Sequence, residues 1–151
     1  MLPTDTFQDL GTGGGLHGLL ESVGAESPIQ LLTLPEEHTL FVQFSPPCGL
    51  FFVRSGAIQR HCERSGRTAD LTPATEGCWL GVGASVQKHM QSYTAITSAP
   101  AVVEYLAQED WERLVEQYPK LRLLALRIMS AELCKAYEDM RKTLQTPAAA
   151  R

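Results

Sequence analysis

The sequence predicts a mainly β member of the α+β class: an antiparallel roll or sandwich followed by C-terminal helices. Three observations carry this. From Ile29 to Leu106, short apolar or alternating runs are separated by Gly and Pro, which is the spacing of short strands. Near Ala107 the period changes from alternation to 3.6, so helix is expected from about Gln108 onward. Beyond Pro119 the chain carries two apolar stripes at helical spacing, the mark of one long helix. At least six antiparallel strands are expected before the switch.

The totals bound the class. With 151 residues, 44% hydrophobic and 20% charged, the chain is the size and composition of one globular domain. Net charge is −4 and no basic run reaches five residues, so neither a nucleic-acid footprint nor binding to an anionic membrane surface is expected. No apolar run approaches the roughly 18 residues of a membrane span. The start, MLPTDTFQDLGTGGGLHG, has no basic region and no apolar core. It is not a secretory signal, and a cytoplasmic location is expected. Cys48, Cys62, Cys78 and Cys134 form no C-x-x-C, so neither a zinc knuckle nor a redox motif is expected. No G-x-S-x-G, H-E-x-x-H or Walker sequence occurs, and the chain is not expected to be an enzyme.

Residues 1–28 read as a flexible arm and a short helix. The GTGGG run has no strand before it and no Lys after it, so it is a linker rather than a phosphate loop. Leu16, Leu19, Leu20 and Val23 have helical spacing and predict a helix ending near Gly24. Residues 29–106 hold the strands, in runs such as IQLLTL, LFVQF, LFFVRS and AIQRHCER, with Pro35, Pro46-Pro47, Gly49, Gly56, Gly66 and Pro73 between them. Ser55-Gly56 is a turn or bulge. Ser65-Gly66 is a hairpin tip between Arg64 and Arg67.

Residues 107–145 hold the helices. Trp111, Leu114, Val115 and Tyr118 recur at i, i+3, i+4 and i+7. Glu109 and Asp110 favour the positive end of that helix, and Pro119 separates it from the next. On the long helix, Leu121, Leu124, Ala125 and Ile128 form one stripe, expected to pack on the sheet. Leu123, Leu126, Ser130, Leu133, Tyr137, Met140 and Leu144 form the other, an a/d seam of three heptads. The seam is expected to meet a second copy; the alternative is a single helix lying on its own sheet. Residues 146–151 are tail.

The chain is organised around Glu76 to Leu106. Gly77, Gly81 and Gly83 punctuate the approach, Ala84 to Met90 is a short mixed segment, and QSYTAITSA and AVVEYLA are β-type runs hinged at Pro100. From spacing alone this is a β-turn with a bulge, or a linker that gathers backbone N–H groups and the Ser92 hydroxyl into an anion pocket.

Read with its flanks, the stretch resembles the phosphate-binding cassette of the cyclic-nucleotide-binding domain of the catabolite activator and Fnr regulators. LFFVRSG and the hairpins around it resemble the family's opening strands. VVEYLAQEDWERLVEQYPKL resembles its return strand, short helix and the start of its long helix. The resemblance covers about residues 30 to 145. It implies an antiparallel, jelly-roll-like β-roll with a short N-terminal helix and a long C-terminal dimerisation helix.

It also implies a degenerate site. The cassette positions are Gly81, Val82, Gly83, Ala84, Gln91 and Ser92. Gly81 and Ser92 match the family's glycine and hydroxyl. Val82 stands where a glutamate meets the ribose, and Gln91 where an arginine meets the cyclic phosphate. Gly77 fits a Gly-Asp turn, with Cys78 in place of its aspartate. The base-facing pair on the long helix falls at Ala136 and Tyr137. Lys88, His89 and Gln91 are replacement donors or simply solvated loop residues. A haem held by Cys78 and His89 is the remotest reading, since the spacing differs from that of haem-binding members.

The implied function is a regulatory sensor module with weak or altered binding of cyclic AMP and cyclic GMP. The alternative is a ligand-free interaction module that dimerises through the long helix. No metal and no other cofactor is expected. A homodimer is expected, and a partner regulatory protein stays open. Regulators of this family usually continue into a helix-turn-helix. Here the sequence ends about where it would begin, so no DNA-binding domain of its own is expected.

Overall fold

A computed structural model describes the backbone of residues 14–145 and the side chains of residues 14–142. The expected arm before residue 14, the Leu144 side chain and the tail at 146–151 lie outside the described residues. Among the described residues, eight strands and four helices follow in the order α1 (Gly15–Glu21), β1 (Gln30–Leu34), β2 (Thr39–Phe41), β3 (Gly49–Ser55), β4 (Ile58–Arg64), β5 (Arg67–Ala74), β6 (Trp79–Leu80), α2 (Val82–Gln87), β7 (Thr94–Thr97), β8 (Ala101–Ala107), α3 (Gln108–Gln117) and α4 (Lys120–Gln145). One sheet runs β1-β8-β3-β6 and the other β2-β7-β4-β5. Every ladder is antiparallel. This is the predicted β-roll.

Strand β3 shows how the roll holds two cores. Successive side chains point to opposite faces. Leu50 and Phe52 join the helical core with Leu16, Leu19, Leu20, Trp111, Leu114 and Leu121. Phe51 and Val53 join the core inside the roll with Phe41, Ile58, Ala95 and Val103. A strand covered on both faces reads as a continuous apolar run, which is why LFFV is so legible. Strand β8 alternates in the same way, with Val103 inside the roll and Leu106 among the helices. Glu104 is fully buried. It accepts a hydrogen bond from the His17 backbone N–H at 3.2 Å and pairs with Arg54, which fastens α1 to the sheet.

Three local expectations change. Pro73 lies within β5 rather than between strands, and β5 is an edge of its sheet, where a missing N–H interrupts no ladder. Gly49 opens β3 instead of preceding it. Of the mixed segment Ala84 to Met90, residues 84–87 fold as the end of α2, and Lys88 caps it in the left-handed region. The hairpin tip is as expected, with φ of +53° at Ser65 and +76° at Gly66, the handedness of a type I′ turn.

Candidate functional site

Gly81 begins the site. Its φ is +74°, and a Cβ there would lie 2.7 Å from the Gly49 carbonyl oxygen. Only glycine lets the chain turn this tightly against β3. The Gly81 N–H donates to the Tyr93 hydroxyl at 3.3 Å. The Ser85 hydroxyl, one turn into α2, donates to the Gly49 carbonyl at 2.8 Å. Helix α2 is thereby fixed to the roll at both its start and its middle.

Between α2, the inner face of the roll and α4 lies a cleft of about 560 Å³, within the usual range for small-molecule sites. Gly81, Val82, Gly83, Ala84, Gln91 and Ser92 all line it, so the fold brings the six cassette positions together. Of the two positions singled out on the long helix, Ala136 lines the cleft. Tyr137 does not, and it is 65% exposed. Gln91 is buried, with its Nε2 3.9 Å from the Cys48 sulfur. Lys88 is not among the lining residues and sits 3.8 Å from Glu112. His89 and Cys78 both line the cleft. The imidazole is engaged at both nitrogens, Nδ1 with the Met90 carbonyl at 2.8 Å and Nε2 with Gln87 Oε1 at 2.9 Å. No group of three or more metal-ligating side chains gathers among the described residues.

Sequence reasoning passed over Arg60, Tyr93, Glu132 and Lys135, which also line the cleft. The Arg60 guanidinium lies 5.6 Å from the centre of the Tyr93 ring and donates from Nε to the Thr72 carbonyl at 2.8 Å. Burial pushes the Tyr93 hydroxyl up, against the opposing effects of the Gly81 N–H and the Arg60 charge. Burial likewise raises the Glu132 carboxyl, opposed by the Trp79 backbone N–H and by the charges of Lys135 and Arg60. The signal for Arg60 was present. Ile58 faces the roll interior, and a period of two places Arg60 on the same side. Glu132 continues the Leu121, Ala125, Ile128 stripe by one more step of four.

The second stripe of α4 has a different environment. Leu123, Leu126, Leu133, Tyr137 and Met140 are all exposed, Leu133 at 59%, and Ser130 is exposed beside them.

The cassette glycine, the short helix and the long helix of this β-roll enclose one cleft. The chain belongs to the cyclic nucleotide-binding domain family, whose profile matches residues 31–118. Solved structures agree on the fold. A cyclic nucleotide-binding domain from Methylobacillus flagellatus KT matches with a TM-score of 0.68 and 15% identity, covering 92% of this chain and 84% of that one. The catabolite activator protein of Thermus thermophilus matches at 0.59 and 18%, covering 95% and 59%. The c-di-GMP responsive regulator CLP of Xanthomonas campestris matches at 0.63 and 16%, covering 82% and 61%. The chain thus spans about three fifths of the last two proteins. At such identities the likeness is one of fold. No curated protein matches in sequence. No helix among the described residues is long and apolar enough to cross a membrane.

Proposed function

We propose that this chain is a regulatory sensor module of Crp/Fnr type whose cleft takes a small ligand with altered or weak preference for cyclic nucleotides. In this reading it works as a homodimer joined along α4, in the cytoplasm, and is not catalytic. One observation carries it: all six cassette positions and α4 line the same cleft, so a ligand there touches both the roll and the helix that leads to the second copy.

Cyclic AMP and cyclic GMP are expected to bind weakly or not at all. Arginine meets a phosphate through a charge-assisted, often bidentate pair. Gln91 is uncharged and buried. Losing such a pair costs about 2–5 kcal/mol, and each 1.4 kcal/mol is about tenfold in affinity. Val82 is a second loss, because a ribose hydroxyl against an apolar side chain gives up water without gaining a partner.

Calorimetric titration of wild type and of the double change Val82→Glu, Gln91→Arg tests this. Binding only by the double variant fits a kept scaffold with a changed ligand. Wild-type affinity below about 10 μM for either nucleotide contradicts it. The exposed α4 stripe also favours a second reading, a ligand-free module that acts by pairing. A thermal-shift panel separates the two, since a ligand selective for the native state raises its melting temperature.

A further inference from the structure

We propose that Arg60, on the inner face of β4, is the anion contact of this cleft in place of position 91, and that the cleft takes one anionic group on an apolar, aromatic-sized body. The inference rests on the cleft being a ligand site. It goes further by naming which cation meets the ligand and what charge the ligand carries.

Position comes first. Arg60 is paired across the sheet with Ala95 of β7, and Ala95 is fully buried in the core of the roll. Directly opposed residues on neighbouring strands share a face, so the arginine side chain leaves the strand on the interior side. Arginines are rarely placed there unless something compensates the charge. The Thr72 carbonyl takes two donors, Nε and Nη2, out of the five the guanidinium offers. The Tyr93 ring beneath it adds a cation–π contact. The group is therefore held in place before any ligand arrives, which lowers the ordering cost of binding.

The surroundings set the ligand's character. Lys135 of α4 also lines the cleft, with its Nζ 4.0 Å from the Cys78 sulfur. Trp79 lines it too and is only 4% exposed. Its ring packs edge-on against Phe52 in the helical core, so it closes the cleft on that side. Val82, Met129, Leu133 and Leu71 supply apolar wall. Against the cations stand Glu132 and Asp139, also in the lining. One arginine and one lysine face two carboxylates across the lining, so the site has no surplus positive charge for a polyanion such as a nucleoside triphosphate.

The probe is 1-anilinonaphthalene-8-sulfonate, one sulfonate on an aromatic body, followed by fluorescence across a salt series. Cyclic AMP and ATP serve as competitors. Wild type is expected to bind it saturably, more weakly as salt rises, with no competition from ATP. Arg60→Gln should weaken binding by about tenfold or more and flatten the salt dependence, which a merely structural role would not do. Arg60→Lys should keep the salt dependence with reduced affinity, and it decides the matter if Arg60→Gln fails to fold. Arg64→Gln, at the hairpin tip, should change nothing. Ala136→Trp, which fills the cleft from α4, should abolish binding.

If Ala136→Trp abolishes binding while Arg60→Gln leaves affinity and salt dependence intact, the cleft is a ligand site and the assignment of Arg60 is wrong. If Ala136→Trp binds like wild type, the cleft reading itself fails. Absence of saturable binding by wild type, or competition by ATP, also overturns the proposal. Failure of cyclic AMP to displace the probe is expected; its displacement of the probe would contradict the altered preference proposed above.

Discussion

Two faces of α4 are built from the same kinds of residue and meet different environments. In the first three turns, Leu121, Leu124, Ala125 and Ile128 are buried in the helical core. Farther along, Leu133, Tyr137 and Met140 occur at similar spacing and are exposed. The first stripe is accounted for by the chain's own fold. The second is exposed in the single chain, with Leu133 also bordering the cleft, and such a row is what the proposed pairing would cover. Helical periodicity therefore identifies apolar stripes without saying which surface each will meet. At the junction the inward stripe turns polar at Glu132, where the helix passes from core to cleft.

The largest expected effect lies in the first half. Leu121→Ala should cost about 2–5 kcal/mol in urea unfolding, because the side chain is fully buried. Leu133→Ala, measured at concentrations too low for pairing, should stay within about 0.5 kcal/mol of wild type. Similar losses at the two positions would erase the contrast. A smaller effect follows for assembly. If the seam pairs, the melting temperature of wild type rises with protein concentration, while that of Met140→Glu does not.

The smallest effect lies at the junction. Burial raises the Glu132 carboxyl above its unfolded value of about 4.3. The folded state therefore holds this proton more tightly. That contribution to stability is complete below the unfolded value and is lost as pH rises through the folded one. Glu132→Gln removes the loss, so the variant should melt above wild type at neutral pH and with it near pH 4. A variant that melts lower at neutral pH would mean that Arg60 and Lys135 stabilise the carboxylate more than burial opposes it.

Much of the fold could be read in advance because its signals are local. LFFV in β3, the Ser65-Gly66 tip and the change of period at Ala107 each report the structure of their own segment. Gly81 was legible for the same reason, since a tight turn declares itself by its glycine. The site was only half legible. The cassette positions follow the chain and could be aligned. Arg60 and Glu132 come from a strand and a helix 72 residues apart in sequence. They share the cleft only once the roll has closed and α4 has docked. Helix α2 was hidden by its length, since six residues are too few to show a period. Tyr137 was placed in the seam by spacing and at the ligand by resemblance; in the single chain it is exposed and outside the cleft lining.

Light scattering of the wild-type chain and Met140→Glu, a position outside the cleft lining, tests the central claim, that the outer stripe of α4 meets a second copy. Each well-buried leucine or methionine is worth roughly 1.5–3 kcal/mol, and a symmetric pair counts it twice. The account predicts twice the 16.6 kDa chain mass for wild type at high concentration, and a single chain mass with unchanged secondary structure for the variant. A wild-type mass of 16.6 kDa at every concentration would contradict it.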